Sequence, residues 1–229
     1  ANPIADPIVT TTYTVTVTSG QSCSSTDQVT ITVNPTPNVD AGPDQTICDG
    51  ASVTIGGSPT STTAGVTYAW DNGASLSSTS VANPIATPTT TTTYTVTVTD
   101  ANTCTSTDQV IVTVNPLPTA DAGADRTICE GTNTSLGAPT GPAGATYLWN
   151  NAGSLNNANA ANPVASPLTT TTYSVTVTSG NGCTSVDQVL VTVNPAPTAD
   201  AGADQTICNG SSVNLGGTPT GPAGSSFSW

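Results

Sequence analysis

A β-hairpin pattern occurs three times in the chain, at residues 13–35, 94–116 and 173–195. In the middle copy Val alternates with Thr over Tyr94–Thr99, and this period of two places apolar side chains on one face of a strand and hydroxyls on the other. Turn residues and then a cysteine separate the two arms, so the sequence predicts three copies of one hairpin. The second arm, Val110–Val114, is more continuously apolar, which predicts a strand covered on both faces or near the centre of a sandwich.

The spacing of the cysteines shows that more than the hairpin is repeated. Cys23, Cys104 and Cys183 are 81 and 79 residues apart, and a second cysteine and a tryptophan recur at the same period. A repeat of about 80 residues has the size of a small β-sandwich. We predict the C-terminal half of a repeat at 1–35, complete repeats at 36–115 and 116–195, and the N-terminal half of a repeat at 196–229.

The two half repeats leave two interpretations open. We expect the chain to be a segment of a longer array. Alternatively, it is a discrete subunit, and the half repeats of two chains complete one sandwich by strand complementation. At the junctions, Asn-Pro-x-Pro motifs that start at Asn34, Asn115 and Asn194 predict short, stiff connections.

Short strand and turn signals within the first complete repeat predict an all-β fold. Strands are expected near residues 44–47, 52–55 and 67–70, with a further edge near Ala82–Pro84 before the hairpin begins at Tyr94. Seven short strands with turns every 8 to 12 residues or so are typical of a Greek-key, immunoglobulin-like β-sandwich. The fold class that we expect is therefore a tandem array of such sandwiches.

Charge and composition exclude several functions. The chain has 14 acidic residues and one basic residue, Arg126, with no lysine or histidine, and its net charge is −13. Serine–histidine and cysteine–histidine pairs and lysine Schiff bases are therefore absent, and nucleic acid would be repelled. No apolar run reaches the roughly 18 residues of a membrane span. Six cysteines in fixed positions favour an oxidising, secreted location.

Three motifs in a fixed order carry a resemblance to a known class of repeat. These are Ala-Asp-Ala-Gly-x-Asp-x-Thr-Ile-Cys-x-Gly (Ala120–Gly131 and Ala199–Gly210), Tyr-x-Trp (Tyr68–Trp70 and Tyr147–Trp149) and the Thr-Thr-Thr-Tyr-Thr-Val-Thr-Val-Thr string that ends at Thr99. The chain resembles the PKD-like, immunoglobulin-like repeats of very large secreted and cell-surface proteins in Bacteroidetes-type bacteria. The resemblance implies an adhesin, a filament or an enzyme appendage.

The cysteines allow two pairing schemes. Pairing within a repeat would join Cys48 to Cys104 and Cys129 to Cys183. In an immunoglobulin-type strand order, however, the two cysteines of one repeat lie at opposite ends of strands about 20 Å long, whereas a disulfide needs Cα atoms within about 7 Å. Pairing between successive repeats would join Cys48 to Cys183, and Cys23, Cys104, Cys129 and Cys208 would then need partners outside the sequence or in neighbouring chains. Spacing alone does not decide between the schemes.

Paired aspartates follow each proline junction and are candidate calcium ligands, because calcium prefers several hard oxygen ligands. The candidates are Asp40, Asp44, Asp121, Asp125, Asp200 and Asp204. The alternative is that these carboxylates are solvated or cap turns. No other cofactor is expected.

The aromatic residues are expected to be structural. Trp70 and Trp149 are predicted core residues on the third strand, with a sugar-stacking platform as the alternative. Tyr94 and Tyr173 are predicted corner tyrosines whose hydroxyls bond nearby backbone groups.

We expect a non-enzymatic, extracellular structural protein, the building block of a surface filament, stalk or adhesin that gives spacing and mechanical cohesion. Its expected partners are neighbouring repeats or identical chains, and surface glycans or other cells. The alternative is an array of accessory or carbohydrate-binding modules of a secreted polysaccharide-degrading enzyme.

Overall fold

The computed structural model describes residues 2–137, 143–217 and 224–228, so Trp229 lies outside the described residues. The chain divides into two compact units, Ala1–Pro116 and Leu117–Trp229. The strands of the first unit are β1 Thr11–Thr18, β2 Ser24–Ile31, β3 Gln45–Cys48, β4 Val53–Thr54, β5 Thr67–Trp70, β6 Ile85–Ala86, β7 Thr92–Thr99 and β8 Thr105–Asn115. Those found in the described part of the second unit are β9 Arg126–Cys129, β10 Thr134–Ser135, β11 Thr146–Trp149, β12 Val164–Ala165, β13 Thr171–Thr178 and β14 Thr184–Asn194.

All three predicted hairpins form, as the antiparallel pairs β1–β2, β7–β8 and β13–β14. Their register is the same, because the opening tyrosine lies opposite a valine each time: Tyr13 opposite Val29, Tyr94 opposite Val110, and Tyr173 opposite Val189. A one-residue slip would turn every apolar side chain to the wrong face, so the alternating pattern specifies this register.

In each complete repeat the hairpin belongs to a four-stranded sheet. The order is β3-β8-β7-β5 in the first repeat and β9-β14-β13-β11 in the second, and a two-stranded sheet, β4-β6 or β10-β12, accompanies it. The first strand of each repeat pairs parallel to the last, while the other pairs are antiparallel. This arrangement confirms the predicted all-β, immunoglobulin-like sandwich.

The core of the first complete repeat joins side chains from both sheets. Val96 and Val110 come from the hairpin and Ala86 from β6, and Ile55 directly follows β4. Each fully buried valine contributes about 1.5 kcal/mol or more from removal of its surface from water. The second complete repeat has an equivalent core, in which Leu136 replaces the isoleucine.

Two details of the first complete repeat differ from the prediction. It has six strands rather than seven, because the segment between β5 and β6 contains only a short 3-10 turn at Gly73–Ser75 and a single bridge from Leu76 to Ala86. The strand β8 is covered on one face only, since Val110 and Val112 are buried but Ile111 between them is exposed. Its apolar run therefore reflects β propensity as well as burial.

Candidate functional site

The first and last strands of each complete repeat pair with each other in parallel. In the first repeat Gln45 lies opposite Val112, and the pairing continues to Cys48 opposite Asn115. The Asp49 amide then donates a 2.9 Å hydrogen bond to the Asn115 carbonyl oxygen. The chain therefore enters and leaves the repeat through two strands that are bonded directly to each other.

Two aspartates extend this strand pairing, because each carboxylate accepts a hydrogen bond from a backbone amide on the other side of the pair. The Asp44 carboxylate, just before β3, accepts a 2.8 Å hydrogen bond from the Ile111 amide of β8. In return, the Asp108 carboxylate of β8 accepts a 2.8 Å hydrogen bond from the Ala41 amide. We call residues 41–49 together with residues 108–115 the terminal-strand clamp.

The second complete repeat contains the same clamp. β9 and β14 pair parallel from Arg126 opposite Val191 to Cys129 opposite Asn194. The Asp125 carboxylate accepts a 2.9 Å bond from the Leu190 amide, and the Asp187 carboxylate accepts a 2.8 Å bond from the Ala122 amide. The repeated Asp-Gln-Val predicts that Asp108 and Asp187 cap or solvate the start of the last strand. The structure instead places both inside that strand, where each carboxylate is on the same face as the buried valines.

The six candidate calcium ligands occupy three kinds of position in the structure. Asp40, Asp121 and Asp200 each accept a 2.8 Å bond from the amide two residues later, which closes a tight turn. Asp44 and Asp125 belong to the clamps, and Asp204 is exposed. Among the residues that the structure describes, no three acidic, cysteine or histidine side chains are grouped to hold one metal ion. Calcium binding stays an untested alternative to turn capping.

The cysteines are in two chemical states. Cys48 and Cys183 are disulfide-bonded, whereas Cys23, Cys104, Cys129 and Cys208 carry free thiols. The within-repeat bonds from Cys48 to Cys104 and from Cys129 to Cys183 are therefore not formed, since Cys104 and Cys129 are free. Cys48 ends the first strand of its repeat, while Cys183 directly precedes β14, the last strand of the next.

The predicted aromatic residues lie in the cores. Trp70 is 5% exposed and Trp149 is 2% exposed, and each indole Nε1 donates a 3.0 Å bond to a backbone oxygen, of Val81 and Ala160 respectively. These two rings therefore present no sugar-stacking face. The tyrosine hydroxyls bond serine side chains rather than the predicted backbone groups, at 2.6 Å from Tyr94 to Ser75 and 2.7 Å from Tyr173 to Ser154.

Comparison with known proteins shows similarity in backbone fold only. No family model and no curated protein matches the chain. The Ig1 and Ig2 domains of DIP-gamma are 12% identical, with a TM-score of 0.37, over 70% of this chain and 99% of that one. The PKD domain from the KIAA 1837 protein is 26% identical, with a TM-score of 0.31, over 37% of this chain and 92% of that domain.

A third similar structure is a SusE-like surface-located polysaccharide-binding protein from Bacteroides thetaiotaomicron. It is 12% identical, with a TM-score of 0.38, over 80% of this chain and 43% of that one. These structures are similar in general fold, and TM-scores of this size carry no statement about activity or partner. Within the described part of this chain, no helix has the length and apolar character needed to cross a membrane.

Proposed function

We propose that the chain is an extracellular structural repeat protein, the building block of a surface filament, stalk or adhesin whose role is spacing and mechanical cohesion. The terminal-strand clamp is the observation that carries this proposal. Tension applied through residues 41 and 115 would draw the two parallel strands along each other. Their hydrogen bonds would then bear the load together rather than open one after another.

Composition supports an extracellular location for such a protein. Two cysteines are disulfide-bonded, which suits an oxidising compartment. The single basic residue, Arg126, leaves almost no site for trypsin-like proteases. The motif order that resembles Bacteroidetes-type surface repeats agrees with this location, and the proposal assigns no reaction to the chain.

The proposal includes a disulfide between Cys48 and Cys183, as the between-repeat scheme predicts. The support is that these two cysteines are bonded, whereas the cysteines that the within-repeat scheme needs as partners are free. A covalent link between successive repeats would hold their junction under load.

Single-molecule force spectroscopy on the full chain tests the mechanical role. Under reducing conditions the two complete repeats should unfold in two separate high-force events, each releasing roughly 25 nm at about 3.5 Å per residue. The double variant Asp44→Ala/Asp108→Ala should lower the force of one event, because it removes both side-chain bonds of the first clamp. The unchanged second repeat is an internal reference.

A matched variant separates mechanical from thermodynamic effects. Tyr94→Phe weakens the first core at the Ser75 contact but leaves the clamp intact, so the peak force should stay near the wild-type value. Equal forces in the clamp variant and the wild type, or a drop of the same size in Tyr94→Phe, would refute a load-bearing clamp.

A further inference from the structure

The second complete repeat has an open groove beside the short 3-10 turn Ala152–Ser154. Residues of two segments, 151–154 and 166–171, line it, and we call it the turn groove. Its volume is about 460 Å³, which is in the range of small-ligand sites. None of the residues that line it is charged, although the chain as a whole has a net charge of −13.

Hydrogen bonds hold the two sides of the turn groove in place. The Ser166 amide donates a 2.8 Å bond to the Ser154 carbonyl oxygen, which joins the two segments. Ser154 Oγ bonds the hydroxyl of the buried Tyr173 at 2.7 Å, and Asn151 Nδ2 donates a 2.9 Å bond to the Thr172 oxygen. A ligand would therefore meet a preformed surface, and little ordering of the protein would oppose its binding.

Three side-chain oxygen atoms of the turn groove have no hydrogen-bond partner among the described residues. They are Asn151 Oδ1, Ser166 Oγ and Thr169 Oγ1. The amide oxygen can only accept a bond, whereas the two hydroxyls can donate or accept. A ligand that carries several closely spaced hydroxyl groups can pair with all three atoms.

Leu168 adds an apolar surface beside these polar atoms. Its side chain is 73% exposed, and it directly follows the buried Pro167. Covering an exposed leucine with the carbon–hydrogen surface of a ligand is favourable. A sugar ring offers such a surface on its face and hydroxyls at its edge. An acidic ligand would be repelled by the net charge of the chain, so the chemistry of the groove suits a neutral carbohydrate.

The first complete repeat has the same 3-10 turn but lacks two of these features. Thr89 occupies the position of Leu168, so the exposed leucine is missing. Thr87, the counterpart of Ser166, donates its hydroxyl to the Ser75 oxygen at 3.4 Å, so this hydroxyl is engaged. The first repeat is therefore a natural control for the second.

We infer that the turn groove of the second complete repeat binds a short stretch of a neutral polysaccharide. The three unpaired oxygen atoms bond sugar hydroxyls, and Leu168 packs against a sugar face. The inference goes beyond the proposed mechanical role and does not rest on it, since the groove shares no residue with the terminal-strand clamps. Because the groove is open, the dissociation constant of a single site should be about 1 mM.

NMR titration of the full chain with isotope-labelled leucine methyl groups tests the inference. The probes are neutral oligosaccharides of the cello, manno, xylo and malto series. At least one of them should shift the Leu168 methyl signals saturably, while the signals of Leu148, which lies outside the groove and is 61% exposed, should not move. Oligogalacturonate, which carries carboxylates, should not bind.

Two variants remove binding groups without removing an internal hydrogen bond. Leu168→Thr introduces the residue of the first repeat and should weaken binding about tenfold, because about two buried methylene groups are lost. Ser166→Ala/Thr169→Ala removes the two free hydroxyls and should also weaken binding about tenfold.

Matched control variants change similar exposed side chains elsewhere on the same repeat. Leu148→Thr replaces an exposed leucine, and Thr127→Ala/Thr184→Ala removes two exposed hydroxyls. Both controls should bind like the wild type.

Four results would overturn the inference. They are unmoved Leu168 signals with every neutral probe at tens of millimolar, controls that lose as much affinity as the groove variants, oligogalacturonate that binds as well as the neutral sugars, and a neutral extended peptide that binds where the sugars do not. The force measurements under "Proposed function" concern the clamp, so the load-bearing role can hold or fail independently of this result.

Discussion

The backbone amide of Ala41 donates a 2.8 Å hydrogen bond to the carboxylate of Asp108, which lies 67 residues further along the chain. Asp108 is on β8, where it shares a face with the buried Val110 and Val112. A carboxylate at the edge of an apolar face needs a donor, and the segment before β3 supplies it. The bond thus joins the entry and the exit of the repeat.

Replacing Asp108 should weaken the connection between the first and last strands of the repeat. We expect Asp108→Ala to lower the free energy of unfolding of the first complete repeat by about 1–2 kcal/mol, because a partly buried charge-assisted hydrogen bond is lost. The Ala41 amide should also exchange faster with deuterium, as measured by NMR. Asp27→Ala, at the equivalent position of the first hairpin, is the control and should leave the Ala41 exchange rate unchanged.

The cysteine states can be mapped chemically. Maleimide added without reductant should label Cys23, Cys104, Cys129 and Cys208 and leave Cys48 and Cys183 unlabelled. Digestion with an aspartate-specific protease should then release one disulfide-linked pair of peptides, containing Cys48 and Cys183, in non-reducing mass spectrometry. A linked pair with Cys48 and Cys104 would contradict the between-repeat scheme.

Alanine substitutions at two glycines with positive φ can distinguish steric crowding from backbone strain. Gly56 has φ of +102° and Gly50 has φ of +80°. A Cβ at Gly56 would lie 2.5 Å from the Ala82 oxygen, whereas a Cβ at Gly50 would have no neighbour within 4 Å. Both alanine variants carry a left-handed penalty of about 1–2 kcal/mol. We expect Gly56→Ala to cost about 2 kcal/mol more than Gly50→Ala in urea unfolding, and equal costs would show that the Gly56 loop relaxes freely.

The contact between Tyr94 and Ser75 should be cooperative. The hydroxyl of Tyr94, whose ring is buried in the first core, lies 2.6 Å from the Ser75 Oγ. In a double-mutant cycle of Tyr94→Phe and Ser75→Ala, we expect a coupling energy of about 0.5–1.5 kcal/mol. Tyr13→Phe, at the equivalent position of the first hairpin, should change the stability little, and an uncoupled cycle would mean that the two hydroxyls act separately.

Removal of calcium should have little effect on the complete repeats. The carboxylates of Asp44 and Asp125 already accept backbone hydrogen bonds within the clamps. We therefore expect the same melting temperature in calcium and in EDTA, measured by differential scanning calorimetry. A rise of several degrees in calcium, abolished by Asp40→Ala but not by Asp6→Ala, would establish the calcium site instead.

Sequence periodicity by itself determined the elements whose signal is local. Alternating Val and Thr residues predicted the three hairpins, and the strand Thr67–Trp70 was predicted at its observed bounds. The repeat of 79 to 81 residues in the hairpin cysteines also revealed that one fold occurs more than once. These features depend on neighbouring residues, because the alternation of strand faces is a property of the backbone itself.

The tertiary structure decided which distant groups meet. It gave the first complete repeat six strands rather than seven, gave the Tyr94 hydroxyl a serine partner, and used Asp44 and Asp108 to join the ends of the repeat. It also left Cys104 and Cys129 free. A hydrogen bond that spans 67 residues depends on which strands become neighbours, and that order follows from burying the apolar faces together rather than from any local pattern.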